Sequence, residues 1–187
     1  MAEQVCPVWV GYFMASRLRK LLQNPSTILT PYIRPNMTVL DFGSAMGFFS
    51  LPMAQMVGSG GKVICVDLQP KMLAVLTRRA ARAGVSDRIE THACAPDSLR
   101  LEGRDDSLDF ALAFAALHEV PDQTRCLREL YQLLKAGAPL LLAEPKEHVT
   151  AAEFDQSVAD AEEIGFIPAE RPHIRWSRAI LLAKPTR

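Results

Sequence analysis

Two carboxylates, Asp41 and Asp67, bracket a run of small residues, and two histidines, His118 and His148, stand farther along with Glu119 beside the first. Asp41 follows the short apolar run Met37–Leu40, and Gly43, Ala45 and Gly47 come after it at every second position, D-x-G-x-A-x-G. An apolar-periodic stretch, Phe48 to Met56, then reads as a helix. A strand, a glycine turn and a helix are how open α/β sheets bring backbone N–H groups close to a nucleotide-like ligand. The spacing discriminates between ligands. A dinucleotide fingerprint G-x-G-x-x-G starting at Gly43 needs glycines at positions 45 and 48, which hold Ala45 and Phe48. Asp67 ends a second apolar run, Lys62–Val66, at a place where its paired oxygens can accept from both hydroxyls of a ribose. An acidic cap for the helix that Pro70 begins is equally sound physically. His118, Glu119 and His148 are the candidate bases for any chemistry that removes a proton, although turn capping and an exposed loop account for them too.

The elements that must position these residues alternate. Strands read at Met37–Leu40, Lys62–Val66, Arg88–His92, Ser107–Phe114 and Leu140–Ala143, and helices at Ser26–Ile33, Phe48–Met56, Lys71–Ala83, Gln123–Lys135 and Thr150–Ile164. A closing strand pair has its second arm in Ile174–Ala183. Strands alternating with helices predict an α/β, doubly wound Rossmann-like sheet with helices on both faces. Ahead of it lies an arm, residues 1–24, with the aromatic stretch Val5–Met14 and the basic stretch Arg17–Gln23; residues 25–187 form the domain.

Bulk properties narrow the classes. The 187 residues are 49% hydrophobic and 22% charged, with 21 basic and 21 acidic side chains, a balance that does not suggest a nucleic-acid partner. No stretch of eighteen or more apolar residues and no signal-peptide pattern appears, so membrane insertion is not expected and the cytoplasm is. The scattered Cys6, Cys65, Cys94 and Cys126 argue against structural zinc or a disulfide framework and predict reduced, mostly buried thiols.

The D-x-G-x-A-x-G loop resembles motif I of the class I S-adenosylmethionine (SAM) methyltransferases, with Ala45 where glycine is usual. L-H-x-V-x-D at Leu117–Asp122 resembles the motif IV region of small-molecule methyltransferases, and Asn24–Gln69 is similar to a group of bacterial type 11 members. The resemblance spans roughly residues 25 to 184 and implies a seven-stranded sheet whose seventh strand is antiparallel. It implies SAM held by Asp41, Gly43, Ser44, Ala45, Gly47, Phe48, Asp67, Leu68, Cys94, Ala95 and Phe114. Many members carry an acid for the adenine amino group where Cys94 stands, so adenine here is left to the backbone of Cys94 and Ala95 and to the Leu68 wall. The methyl of Ala45 is tolerable in the loop only at negative φ. N-terminal additions in this family often cover the acceptor, so Trp9, Tyr12 and Phe13 are candidates for an acceptor wall, with packing onto the sheet as the alternative. The expected activity is methyl transfer to a small molecule with no metal, and a homodimer is possible. A catalytically silent SAM-binding module and a nicotinamide oxidoreductase are the competing readings.

Overall fold

Residues 23–186 are described by a computed structural model. Helix α1 (Pro25–Leu29) precedes β1 (Thr38–Phe42), α2 (Ser50–Val57), β2 (Lys62–Asp67), α3 (Pro70–Ala83), β3 (Ile89–Ala93) and β4 (Phe110–Phe114). Then come α4 (Gln123–Leu133), β5 (Pro139–Pro145), α5 (Ala151–Ile164), β6 (Ile167–Glu170) and β7 (Ser177–Ala183). The strands form one sheet in the order β3-β2-β1-β4-β5-β7-β6, with β7 antiparallel to both neighbours and the others parallel. Among the described residues no helix is long and apolar enough to cross a membrane.

Side-chain alternation divides the core in two. Leu40 and Ile64 turn to the face covered by α4 and α5, where Leu127, Leu130, Phe154 and Val158 meet them. Val39, Val63, Phe110 and Leu112 turn to the other face, against Leu29 of α1, Met53 and Val57 of α2 and Leu76 of α3. Strand β4 is buried throughout because both its faces are covered, hence its unbroken apolar run. Local chemistry sets the helix starts. Thr150 and Glu153 form a reciprocal capping box on α5, and Asp122 caps α4 by accepting from Arg125 N at 2.9 Å.

Several boundaries differ from the sequence reading, and three of the shifts have a cause visible in local bonding. Helix α1 stops at Leu29 rather than Ile33, since Pro31 brings no N–H to continue the ladder, although Ile33 stays buried and Tyr32 stacks on Phe110 at 5.8 Å. Strand β4 starts at Phe110 rather than Ser107. The Asp109 carboxylate there accepts from Thr38 N at 2.8 Å and from Lys135 Nζ at 2.6 Å, and its own N–H donates to Thr38 O at 2.8 Å, so the residue before β4 pins the start of β1. Strand β7 starts at Ser177, because a turn closed by Ser177 N donating to Ile174 O precedes it.

The tightest packing lies at the carboxyl end of β1. A Cβ on Gly43 would stand 2.5 Å from the Cβ of Ala116, in the segment that follows β4, and Gly43 has φ +74°. Gly84 has φ +68° with nothing within 4 Å of such a Cβ. Gly84→Ala therefore costs only the left-handed penalty, about 1–2 kcal/mol. Gly43→Ala is expected to cost about 1–3 kcal/mol more, since two loops must also move apart. Thermal unfolding of the two variants checks this, and equal costs would mean that the contact is soft.

Candidate functional site

After β1 the chain crosses to β2 on one side, and after β4 it crosses to β5 on the other. The carboxyl ends of β1 and β4 therefore open a crevice, the usual ligand position in open α/β sheets. Gly43 N and Ser44 N both donate to Val66 O at 3.0 Å, which folds the loop after β1 over the tip of β2. A Cβ on Gly47, at φ +81°, would meet Leu76 Cγ at 3.0 Å, so α3 is packed against this cradle. Ala45 is at φ +45°, against the expectation of a negative angle. The strain is held by a specific bond: Ala45 N donates to Asp67 Oδ2 at 2.8 Å. Asp67 Oδ1 accepts from Gln69 N at 2.8 Å, so the carboxylate ties the loop to the start of α3. Asp67 thus anchors the residue before α3 and does not cap the helix, whose N-cap is Gln69 with no side-chain capping bond, and each oxygen keeps a second lone pair for a ribose hydroxyl. Burial raises the Asp67 pKa against the pull of those two N–H groups.

Asp41 is buried, accepts from Ser50 Oγ at 2.5 Å, and has its pKa pushed up to about 7. Desolvation is the main cause; the Ser50 bond opposes it, and the Asp67 charge adds to it. A carboxylate so placed gains from a cation. Beside it Ser44 Oγ is buried without a hydrogen-bond partner, which for a hydroxyl in a native core calls for a ligand or a water. A buried acid, an orphan hydroxyl and a cradle that a Cβ would fill suit the zwitterionic methionine end of SAM, and the second acid suits its ribose.

The adenine side departs from expectation. Cys94 N donates to Asp67 O at 3.1 Å and Ala95 N to Ser98 O at 2.8 Å, so both backbone donors are engaged within the chain. They are not free for a base, because the Ala95–Ser98 bridge closes that loop on itself. Leu68, the expected adenine wall, is 37% exposed. Burial raises the half-buried Cys94 thiol to about 11, which suits a lining group and not a nucleophile. Phe48 and Phe114 are buried on either side of Phe49, their rings 5.1 and 4.5 Å from its own.

On the far side of the crevice His118 Nδ1 lies 2.5 Å from Glu144 Oε2, and Glu144 Oε1 accepts from Leu117 N at 2.8 Å. Glu144 is 2% exposed. An ionised carboxylate has no hydrogen to give, so Nδ1 carries the proton and Nε2 is left as the basic nitrogen. The Glu144 bond raises the His118 pKa above its ordinary value against partial burial. The ring of His148 stacks on that of His118 at 5.7 Å and 3°. The Glu119 pKa is raised, mainly by burial, with His118, Asp67, Glu144 and His148 all near enough to act on it. Sequence reasoning paired no partner with His118. The signal was present, because Glu144 ends a strand as Asp41 and Asp67 do. Trp9, Tyr12 and Phe13 lie outside the described residues. Among those described, no group of three or more His, Cys, Asp or Glu is placed to hold a metal ion.

Residues 33–173 match the family described as methyltransferase domain. An arsenite methyltransferase of Aquipseudomonas alcaligenes is 33% identical over 121 residues, 63% of this chain and 35% of that protein. The ubiquinone/menaquinone biosynthesis C-methyltransferase UbiE of Pectobacterium carotovorum is 32% identical over 118 residues, 63% of this chain and 46% of that one. The chain thus spans between a third and a half of the length of these relatives. In fold it is similar to a SAM-dependent methyltransferase from Aquifex aeolicus, with a TM-score of 0.85 at 20% identity over 96% of this chain and 100% of that one. With the family match covering well over half of its length, the chain belongs to the class I SAM-dependent methyltransferases.

Proposed function

We propose that this chain transfers a methyl group from SAM to a small-molecule acceptor whose nucleophilic atom must first lose a proton, and that His118 takes that proton. Bound SAM supplies the electrophilic methyl. Asp67 holds the ribose, Leu68 lies against the adenine, and Asp41, Gly43, Ser44, Ala45 and Gly47 surround the methionine end, with Phe48 and Phe114 behind. The acceptor enters over the ends of β4 and β5, where alignment with the methyl contributes up to about 7–11 kcal/mol of rate enhancement.

The observation that carries this reading is the Glu144–His118 pair. A buried carboxylate that fixes one tautomer and leaves Nε2 basic is the arrangement a general base requires. Methylation at a hydroxyl oxygen, or at carbon as in the name of the UbiE relative, calls for such a base. Methylation of arsenite, as in the name of the other relative, is less well served by the described cysteines: Cys65 and Cys126 are buried and Cys94 is half-buried beside Asp67. The zero net charge favours a small molecule over a nucleic acid.

Three outcomes are expected. Asp67→Ala weakens SAM by roughly 1.5–3 kcal/mol in calorimetry, the worth of hydrogen bonds to a charged group; unchanged affinity removes Asp67 from the ribose site. A metabolite extract screened with methyl-labelled SAM yields a labelled product, and His118→Asn slows its formation by about 100- to 10,000-fold; full activity in that variant ends the base assignment. Finally, the His118 pKa measured by NMR falls in Glu144→Gln. Because the folded pKa is the raised one, the pair stabilises fully below about pH 6.5, and that contribution is lost as pH rises through the raised value. The gap in Tm between wild type and Glu144→Gln should therefore be widest at mildly acid pH and shrink toward alkaline pH; a gap that widens there contradicts the pairing.

A further inference from the structure

Two contacts hold the His118 ring, and both come from the carboxyl end of β5. Glu144 Oε2 lies 2.5 Å from Nδ1, and the ring of His148, just past the strand, lies parallel to that of His118 at 5.7 Å and 3°. That separation is within the ~4.5–7 Å over which aromatic rings attract. A bond at Nδ1 fixes one corner of an imidazole and leaves its plane free to tilt. A parallel ring against one face fixes the plane as well.

The turn that carries His148 is built to hold it. His148 N and Val149 N donate to Pro145 O at 3.1 and 3.0 Å, and Arg178 Nη1 donates to Val149 O at 2.9 Å. Lys146 N donates to Trp176 O at 2.9 Å, and Trp176 stands at φ +61°, a conformation bulky side chains rarely adopt. Strain of this kind persists only where the surroundings over-determine it. Here Gln23 Nε2 donates to Arg175 O and Ser177 Oγ on either side of Trp176, at 2.8 and 3.3 Å. An exposed loop histidine needs none of this, yet His148 is exposed and its ring is still aligned on a half-buried one.

Taking a proton turns His118 into an imidazolium. Glu144 balances the charge at Nδ1, and a neutral ring over the face offers its π electrons to it. A cation in the same place would oppose the proton, because like charges disfavour each other's charged forms. The other charged groups near the pair are Glu119 beside His118, Asp67 across the crevice, Lys146 and Glu147 on the turn of His148, and Arg178 of β7. In parallel rings the nitrogen lone pairs lie in the two planes, so no proton passes directly from one ring to the other.

We propose that His148 is a positioning residue for His118: its ring fixes the plane of the His118 imidazole, so that Nε2 keeps one direction, and it serves only while uncharged. This role rests on His118 being the base, and it removes His148 from the candidate bases.

Three variants of the full chain separate shape from charge. His148→Phe keeps a flat ring that takes no proton, His148→Arg keeps a flat group with a permanent charge, and His148→Ala removes both. NMR reads the His118 pKa, calorimetry reads SAM affinity, and methyl-labelled SAM with the metabolite extract reads turnover. His148→Phe is expected to keep the wild-type His118 pKa and rate. His148→Arg lowers that pKa and the rate together, with SAM affinity unchanged. His148→Ala slows turnover by up to about 100-fold, the loss a misplaced reacting group brings, again with SAM affinity unchanged. A wild-type rate in His148→Ala overturns the positioning role, and so does a rate in His148→Phe as low as in His148→Ala. Equal His118 pKa values in His148→Arg and His148→Phe overturn the need for an uncharged ring. Should His148→Ala fail to fold, the comparison of Phe with Arg still decides. The pKa readouts involve no methyl transfer, so they test the stack even if full activity in His118→Asn ends the base assignment.

Discussion

The close approach of two loops, Gly43 after β1 against Ala116 after β4, is the constraint on which the rest of the site depends. It holds only because Gly43 has no Cβ, and it occurs where the chain leaves neighbouring parallel strands in opposite directions. With those loops in contact, the turn from Gly43 to Gly47 is pressed over the tip of β2, where Val66 O and the Asp67 carboxylate take its N–H groups. Asp67 reaches on to Gln69 N, so the loop after β1, the second strand and the start of α3 are tied together by one carboxylate. A ligand bridging Asp41 and Asp67 meets a surface already arranged for it and loses little in ordering the protein.

Acids at strand tips recur through this site. Asp41, Asp67 and Glu144 each stand within the last two residues of a buried strand, and each is nearly inaccessible. Their partners differ, and so do their roles. Asp67 is satisfied by backbone N–H groups, Glu144 by a backbone N–H and an imidazole, and Asp41 by the hydroxyl and backbone of Ser50. Raising the Asp41 pKa from 3.8 to about 7 is worth on the order of 4 kcal/mol, a cost that falls on the folded chain at neutral pH and that a cationic ligand relieves.

What the sequence showed, and what it hid, follows from range. Patterns of period two and 3.6 gave the alternation of strands and helices, because which side chains are buried depends on neighbours only a few residues apart. The glycine spacing distinguished Ala45 and Phe48 from a dinucleotide fingerprint, and the antiparallel β7 came from resemblance. Three features depended on contacts between residues distant in the chain and were not legible. Glu144 meets His118 across 26 positions. Ala45 holds its left-handed angle through Asp67, 22 residues away. The backbone N–H groups of Cys94 and Ala95, residues that the resemblance assigned to adenine, are taken by Asp67 O and Ser98 O. Strand starts moved for the same reason, as at Asp109, whose carboxylate serves β1.

The central claim is that the buried carboxylate at the tip of β1 exists to meet the cationic end of SAM, at a cost in stability. Calorimetric titration of wild type and Asp41→Asn with SAM, each preparation also melted at pH 8 and at acid pH, tests it most directly. The penalty for an acid with a raised pKa is absent below about pH 3.8 and complete above about pH 7. The account predicts one equivalent of SAM bound by wild type and none from NAD, with much weaker SAM binding in Asp41→Asn. It also predicts a higher Tm for the variant at pH 8, an advantage that disappears in acid. Undiminished SAM affinity in Asp41→Asn, or heat from NAD with none from SAM, would contradict it.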